Sequence, residues 1–205
     1  MSPHDLTAVA LGWRSHCGWA VLVGIGGSLI DPIVVHRERV VLLDGSLPRQ
    51  PYHAAVDDRL SADEAAELVS RVERAAGAAA TTALDAVAAK LSQSGRRVVA
   101  VGVAAGGRRI PSELSMILAS HPLLHAAEGD LYEQALIEAS ANAGLAVTTL
   151  APKTIFLDAA CELSLTVADL GAALTATGKR AGPPWQKDHR EATAVALVAL
   201  SGKAV

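Results

Sequence analysis

The stretch from Val9 to Leu22, VALGWRSHCGWAVL, decides how the rest of the chain is read. Thr7 to Gly12 (TAVALG) is a short apolar run that fits a buried strand, and Trp13 to Cys17 is expected as a turn. Gly18 to Ile25 then reads as a second strand, with Trp19, Val21, Val23 and Ile25 alternating onto one face. A loop around Gly26 to Pro32 leads to a third, Ile33 to Leu43, rich in Val and carrying His36, Arg37, Glu38 and Arg39 in its middle. Connections this short leave no room for helical crossovers, so the three strands are expected to form an antiparallel meander.

Beyond it, Asp44 to Asp58 contains Gly45, Pro48 and Pro51 and reads as a loop. Ser61 and Glu64 make a capping box at the head of an Ala-rich helix to about Gln93, within which Gly77 marks a break or close packing. Arg97 to Val103 (RVVAVGV) is a strand, Ala104 to Arg109 (AAGGRR) a glycine-rich basic exit loop, and Pro111 opens a short helix to about Ser120. Glu128 to Asn142 places Leu131, Ala135, Leu136 and Ala139 at helical spacing, and Gly144 stops it. Leu145 to Leu150 (LAVTTL) is the fifth strand, followed by Ala151, Pro152 and Lys153. A helical patch at Thr154 to Leu163 and a polar, Gly- and Pro-containing segment to Trp185 precede the last helix, Asp188 to Leu200, with Ala192, Val195, Ala196 and Ala199 on one stripe. The order β-β-β-α-β-α-β-α gives an α/β fold, a mixed five-stranded sheet with helices on both faces. No repeat or linker divides the chain, so residues 1–205 are expected to form a single domain.

Residues counted as hydrophobic make up 51% of the chain but aromatics only 3%, so the core is built of Ala, Val and Leu. The formal net charge of −3 argues against a surface coated in cations for indiscriminate nucleic-acid binding, while leaving room for a local basic face. The two cysteines, Cys17 and Cys161, lack metal-ligand spacing, and a reducing cytoplasm is the expected location. The apolar stretch Cys17 to Ile30 is broken by Gly24, Gly26 and Gly27 and is too short to span a membrane, so it is read as sheet.

The order of elements and three local passages resemble the ribonuclease H-like superfamily, and within it the RuvC-type crossover (Holliday) junction endonucleases. The passages are Val9 to Leu22, RRVVAVGVAA at Arg96 to Ala105, and KDHREATAVALVAL at Lys187 to Leu200. The resemblance implies two Mg²⁺ ions held by carboxylates from the first strand, the end of the fourth strand and the start of the last helix. It also implies a possible homodimer. Only Asp188 and Glu191 match that pattern. No acid lies between Asp5 and Asp31, where the Leu11-Gly12-Trp13 region takes the first position, nor between Asp85 and Glu113, where Val103, Ala104 or Ala105 takes the second. Asp188 and Glu191 are therefore the residual catalytic and metal candidates, and the run Asp188-His189-Arg190-Glu191 also reads as a helix-capping box.

A site short of acids is expected to need no cofactor, Mg²⁺ entering only if the nuclease reading holds. Arg108 and Arg109 in the glycine-rich loop, with Lys153, Lys179, Arg180, Lys187 and Arg190, are candidates to hold phosphate through cations and free backbone N–H groups, or else are solvated surface charge. The leading expectation is a resolvase-like domain that has lost cleavage and keeps a role in binding nucleic acid or another anion, or in protein assembly. One alternative is an active nuclease with acids relocated to Glu113, Glu128 or Asp130. The other is an actin- or sugar-kinase-like phosphotransferase, for which Leu11 to Cys17 lacks the acidic phosphate loop. His121 and His125 stand at metal-ligand spacing, but Pro122 intervenes and no third ligand shares their helical register. Ser15, His16 and Cys17, adjacent in sequence, point to opposite faces and make a weak nucleophile. Trp13, Trp19 and Trp185 serve either packing or base stacking.

Overall fold

The computed structural model describes residues 7–29 and 31–202; Asp5, Ile30 and both ends of the expected domain lie outside the described residues. Its first strands are β1 (Ala8–His16), β2 (Trp19–Gly27) and β3 (Pro32–Val41), paired antiparallel in turn. β4 (Arg97–Ala104) and β5 (Ala146–Leu150) add in parallel on the other side of β1, giving the order β3-β2-β1-β4-β5. This is the expected mixed five-stranded sheet.

The turn expected at Trp13 to Cys17 is shorter. β1 continues through His16, because Trp13 and Ser15 remain buried and pair with Leu22 and Ala20 across the hairpin. Gly18 closes the remaining two-residue connection with a φ of +82°, a conformation that costs glycine little.

Seven helices cover the sheet among the described residues. α1 (Pro51–Asp57) occupies part of the expected loop, with Pro51 in the first turn where its missing N–H costs nothing. α2 (Ala62–Gln93) starts at the Ser61–Glu64 capping box and runs unbroken through Gly77, so the expected break is absent. A short α3 (Leu114–Leu118) precedes α4 (His121–Asn142), which begins at His121 rather than Glu128 because Pro122 opens it. α5 (Ile155–Glu162) is followed by α6 (Val167–Ala181), where a polar segment was expected. Thr166 caps α6 by accepting from the Asp169 N–H, and Leu170 and Leu174 bury its inner face. α7 (Lys187–Leu200) closes the fold.

Alternation along β1 sets the two layers. Val9, Leu11 and Trp13 face α2 and α4; Ala10 faces α5, α6 and α7. α7 lies directly on the sheet at two glycines: a Cβ on Gly12 would sit 1.9 Å from the Ala192 carbonyl oxygen, and one on Gly102 would sit 2.5 Å from that of Val195. No helix among the described residues is long and apolar enough to cross a membrane.

Candidate functional site

The register that places Gly12 under α7 carries Arg14 and His16 onto the same face, beneath the first turn of that helix. Arg14 Nε donates to Glu191 Oε2 at 2.6 Å, and Lys187 Nζ stands 3.5 Å from the other carboxylate oxygen. His16 Nε2 lies 3.0 Å from Asp188 Oδ2. Glu191 is only 1% exposed, so its charge is held almost without water. The capping-box reading of Asp188 and Glu191 is overturned. The cap of α7 is Gln186, whose N–H donates to His189 Nδ1 at 3.2 Å, which frees both acids to face β1. Burial pushes the His189 imidazole below its ordinary 6.5, and the nearby Arg37 guanidinium pushes the same way against Asp188.

Sequence reasoning did not single out Arg14, and it weighed His16 only beside Ser15 and Cys17 and left Arg37 and Arg39 of β3 without a role at this edge. His16 stacks on Trp19 with ring centroids 4.2 Å apart, and the Arg39 guanidinium lies 4.1 Å from the Trp19 ring centre. Trp19, Arg37, Arg39, Asp188 and His189 border a cavity of 470 Å³. The available signal was Arg14 and His16 at strand spacing after Gly12; assigning them to a turn concealed it. Trp13, in contrast, is packed in the core.

Register places the C-terminal ends of β1, β4 and β5 side by side, with Trp13 opposite Val103 and Val103 opposite Thr149. The Gly106–Arg109 loop and Lys153 leave from that edge. In this loop, however, the anion is internal. Buried Glu133 accepts from the Gly106 N–H at 2.9 Å and from Arg108 at 2.7 Å, so neither is free for phosphate. Arg109 and Lys153 are exposed, and Lys153 borders a 320 Å³ cavity with Arg108 and His125. The remaining cations do not join them. Lys179 and Arg190 line a separate cavity with Trp185, and Arg180 pairs with Asp31 at 3.0 Å, because α6 packs against β3 at the far edge of the sheet.

A five-stranded sheet in this order, with a final helix seated on β1 and β4, matches solved structures along almost its whole length. A Thermus thermophilus RuvC structure aligns over 93% of this chain and 92% of its own, at 16% identity and a TM-score of 0.50. T. thermophilus RuvC in complex with a Holliday junction substrate aligns over 93% and 91%, at 17% identity and a TM-score of 0.49. The chain has a RuvC-like, ribonuclease H-like fold. No protein-family model and no curated protein sequence matches it.

Within this RuvC-like fold the relocated acids do not gather beside Asp188. Glu128 and Asp130 belong to α4, on the opposite face of the sheet from α7, and Glu113 is the N-cap of α3. Glu128 is fully buried and is taken by His53 and Gln50. The His121–His125 pair acquires a neighbour that helical spacing does not reveal. Its third member comes not from helical register but from α1, where His53 stands with His121 and His125 so that one ligand atom of each lies within 4.8 Å of the others. Cys17 and Cys161 are free thiols; burial and the charge of Glu128 push Cys17 above its ordinary value, which keeps it a poor nucleophile.

Proposed function

We propose that this chain is a resolvase-like domain that has lost two-metal phosphodiester cleavage and binds nucleic acid along the C-terminal edge of β1, β4 and β5. The observation that carries this reading is the Arg14–Glu191 pair. A pair of Mg²⁺ ions needs several hard carboxylate oxygens gathered in one place. Here β1 brings a guanidinium to Glu191, Lys187 approaches its second oxygen, and His16 engages Asp188. This donor set does not fit two divalent ions. Two like unit charges 4 Å apart already repel by about 4 kcal/mol at an effective dielectric of 20, and a divalent ion doubles that.

Binding is supported by cations that retain exposure and by an aromatic surface beside them. Arg109 and Lys153 are exposed at the ends of β4 and β5, and Arg39 lies over Trp19 at the Asp188 cavity. Phosphates would be held by the former pair, and an unpaired base would stack on Trp19 by displacing the Arg39 side chain from its ring. Because the chain is acidic overall and few cations are free along this edge, affinity is expected to be modest and to fall with salt.

The test uses the full chain with labelled branched and single-stranded DNA. Saturable binding at low salt, weakened about tenfold or more by Arg109→Glu with Lys153→Glu, supports the reading. So does the absence of cleavage products with Mg²⁺ or Mn²⁺. Cleavage that disappears on Asp188→Ala would restore the nuclease. Failure to bind either DNA at low salt overturns the nucleic-acid role and leaves protein assembly.

A further inference from the structure

We propose that His53, His121 and His125 form a binding site for one divalent transition-metal ion of the zinc class, separate from the Asp188 edge. α4 supplies two of the ligands and the group that positions the third. His121, His125 and Glu128 stand at i, i+4 and i+7, which places them on one face of the helix. α1 supplies His53, packed against that face with ring centroids 5.3 Å from His121 and 4.5 Å from His125.

His53 is oriented as a metal ligand requires. Its Nδ1 lies 2.8 Å from Glu128 Oε1, and its backbone N–H donates to the same oxygen at 3.2 Å. Its Nε2 is buried and has no hydrogen-bond partner. A carboxylate on one imidazole nitrogen fixes the tautomer and makes the other nitrogen a better electron donor, the arrangement by which histidine ligands are usually held. A buried nitrogen without a protein partner, on a ring packed against two further imidazoles, costs about 1–3 kcal/mol when left unpaired, and an ion would satisfy it. The carboxylate also supplies negative charge near an ion that would sit beside the positive end of α4.

The ligand atoms fit a tetrahedral ion with little adjustment. Metal–nitrogen bonds of about 2.0–2.1 Å put tetrahedral ligands about 3.3 Å apart, so contacts now within 4.8 Å need side-chain shifts of about 1.5 Å or less. Imidazole donors select zinc, copper, nickel or cobalt over magnesium and calcium, which want oxygen. His121 and His125 are exposed, so a fourth position would open to water or to an exogenous anion. His125 also borders the cavity that holds Lys153, so an anion there would meet both the ion and the lysine.

The test is titration of the metal-free full chain with Zn²⁺ by calorimetry and with Co²⁺ by visible absorption. One ion per chain, intense Co²⁺ bands of tetrahedral type and a raised melting temperature are expected. His121→Ala and His125→Ala remove exposed side chains and leave the fold intact; each should weaken binding about 100-fold, and together they should abolish it. Glu128→Gln, if folded, should weaken binding about 10- to 100-fold and shift the Co²⁺ bands by changing the donor strength of His53. No saturable uptake of either ion overturns the proposal. So does uptake undiminished in the double histidine variant, which would place the ion on another histidine.

Discussion

Glu191 is almost completely buried, and Arg14 on β1 is the cation set closest against it, with Lys187 farther off on the exposed side. Arg14→Ala should cost about 3 kcal/mol of folding free energy in chemical denaturation, most of it the uncompensated charge left on Glu191. Replacing both partners by apolar side chains, Arg14→Met with Glu191→Leu, should return most of that stability, because desolvating an ion pair offsets much of its attraction. A double variant as unstable as the single would show that the pair contributes through specific hydrogen bonds instead. At this scale the sequence was readable in part. Asp188 and Glu191 stood out as acids at helical spacing, whereas their partners on β1 were invisible once Trp13 to Cys17 had been taken for a turn. The same limit hid His53, since a third ligand from another element leaves no periodic trace.

The helices differ in how much their small residues matter. A methyl group on Gly77 would meet nothing within 4 Å, and the residue lies mid-helix in α2, so Gly77→Ala should raise stability by about 0.5–1 kcal/mol. Gly12→Ala and Gly102→Ala should do the opposite and by more, because each would press into the backbone of α7 and lift it from β1 or β4. Thermal melts of the three variants compare these outcomes directly, and a neutral Gly102→Ala would mean that α7 can slide. Elements with strong local signals were legible: the Ser61–Glu64 cap, the Val-rich strands and the Ala192–Ala199 stripe all lie where periodicity put them. Those missed were announced by single residues. Pro51 and Pro122 read as breakers, although proline in a first turn opens a helix, and Gly171 and Gly178 made α6 look irregular.

Across the whole molecule, two histidines make stability depend on pH. His36 is held below its ordinary 6.5 by burial, with Lys90 adding to the effect and Glu38 opposing it, and His189 is held low by burial and Arg37. The unfolded chain therefore binds protons that the folded chain resists, so stability is full above 6.5 and is lost as pH falls below it toward the folded-state values. Melting temperature should drop as pH falls below about 6.5, before most carboxylates titrate. His189→Gln, which keeps an acceptor for the Gln186 N–H, should flatten part of that slope; a wild-type melting temperature that is level or rises on acidification contradicts it. The global arrangement was readable because strand count, connection length and helix order leave few topologies open. Which cations would share an edge was not, because α6 carries Lys179 and Arg180 to β3, away from Lys153. The stacking of Trp19 on His16, with Arg39 close to the same ring, also gives the protein an optical reporter of its own. Indole emission is quenched or shifted by charges moving at such range, so an occupant arriving at this edge would announce itself in intrinsic fluorescence without any dye; replacing Trp185, which lies against His189, by Phe would leave the sequestered Trp13 as the background.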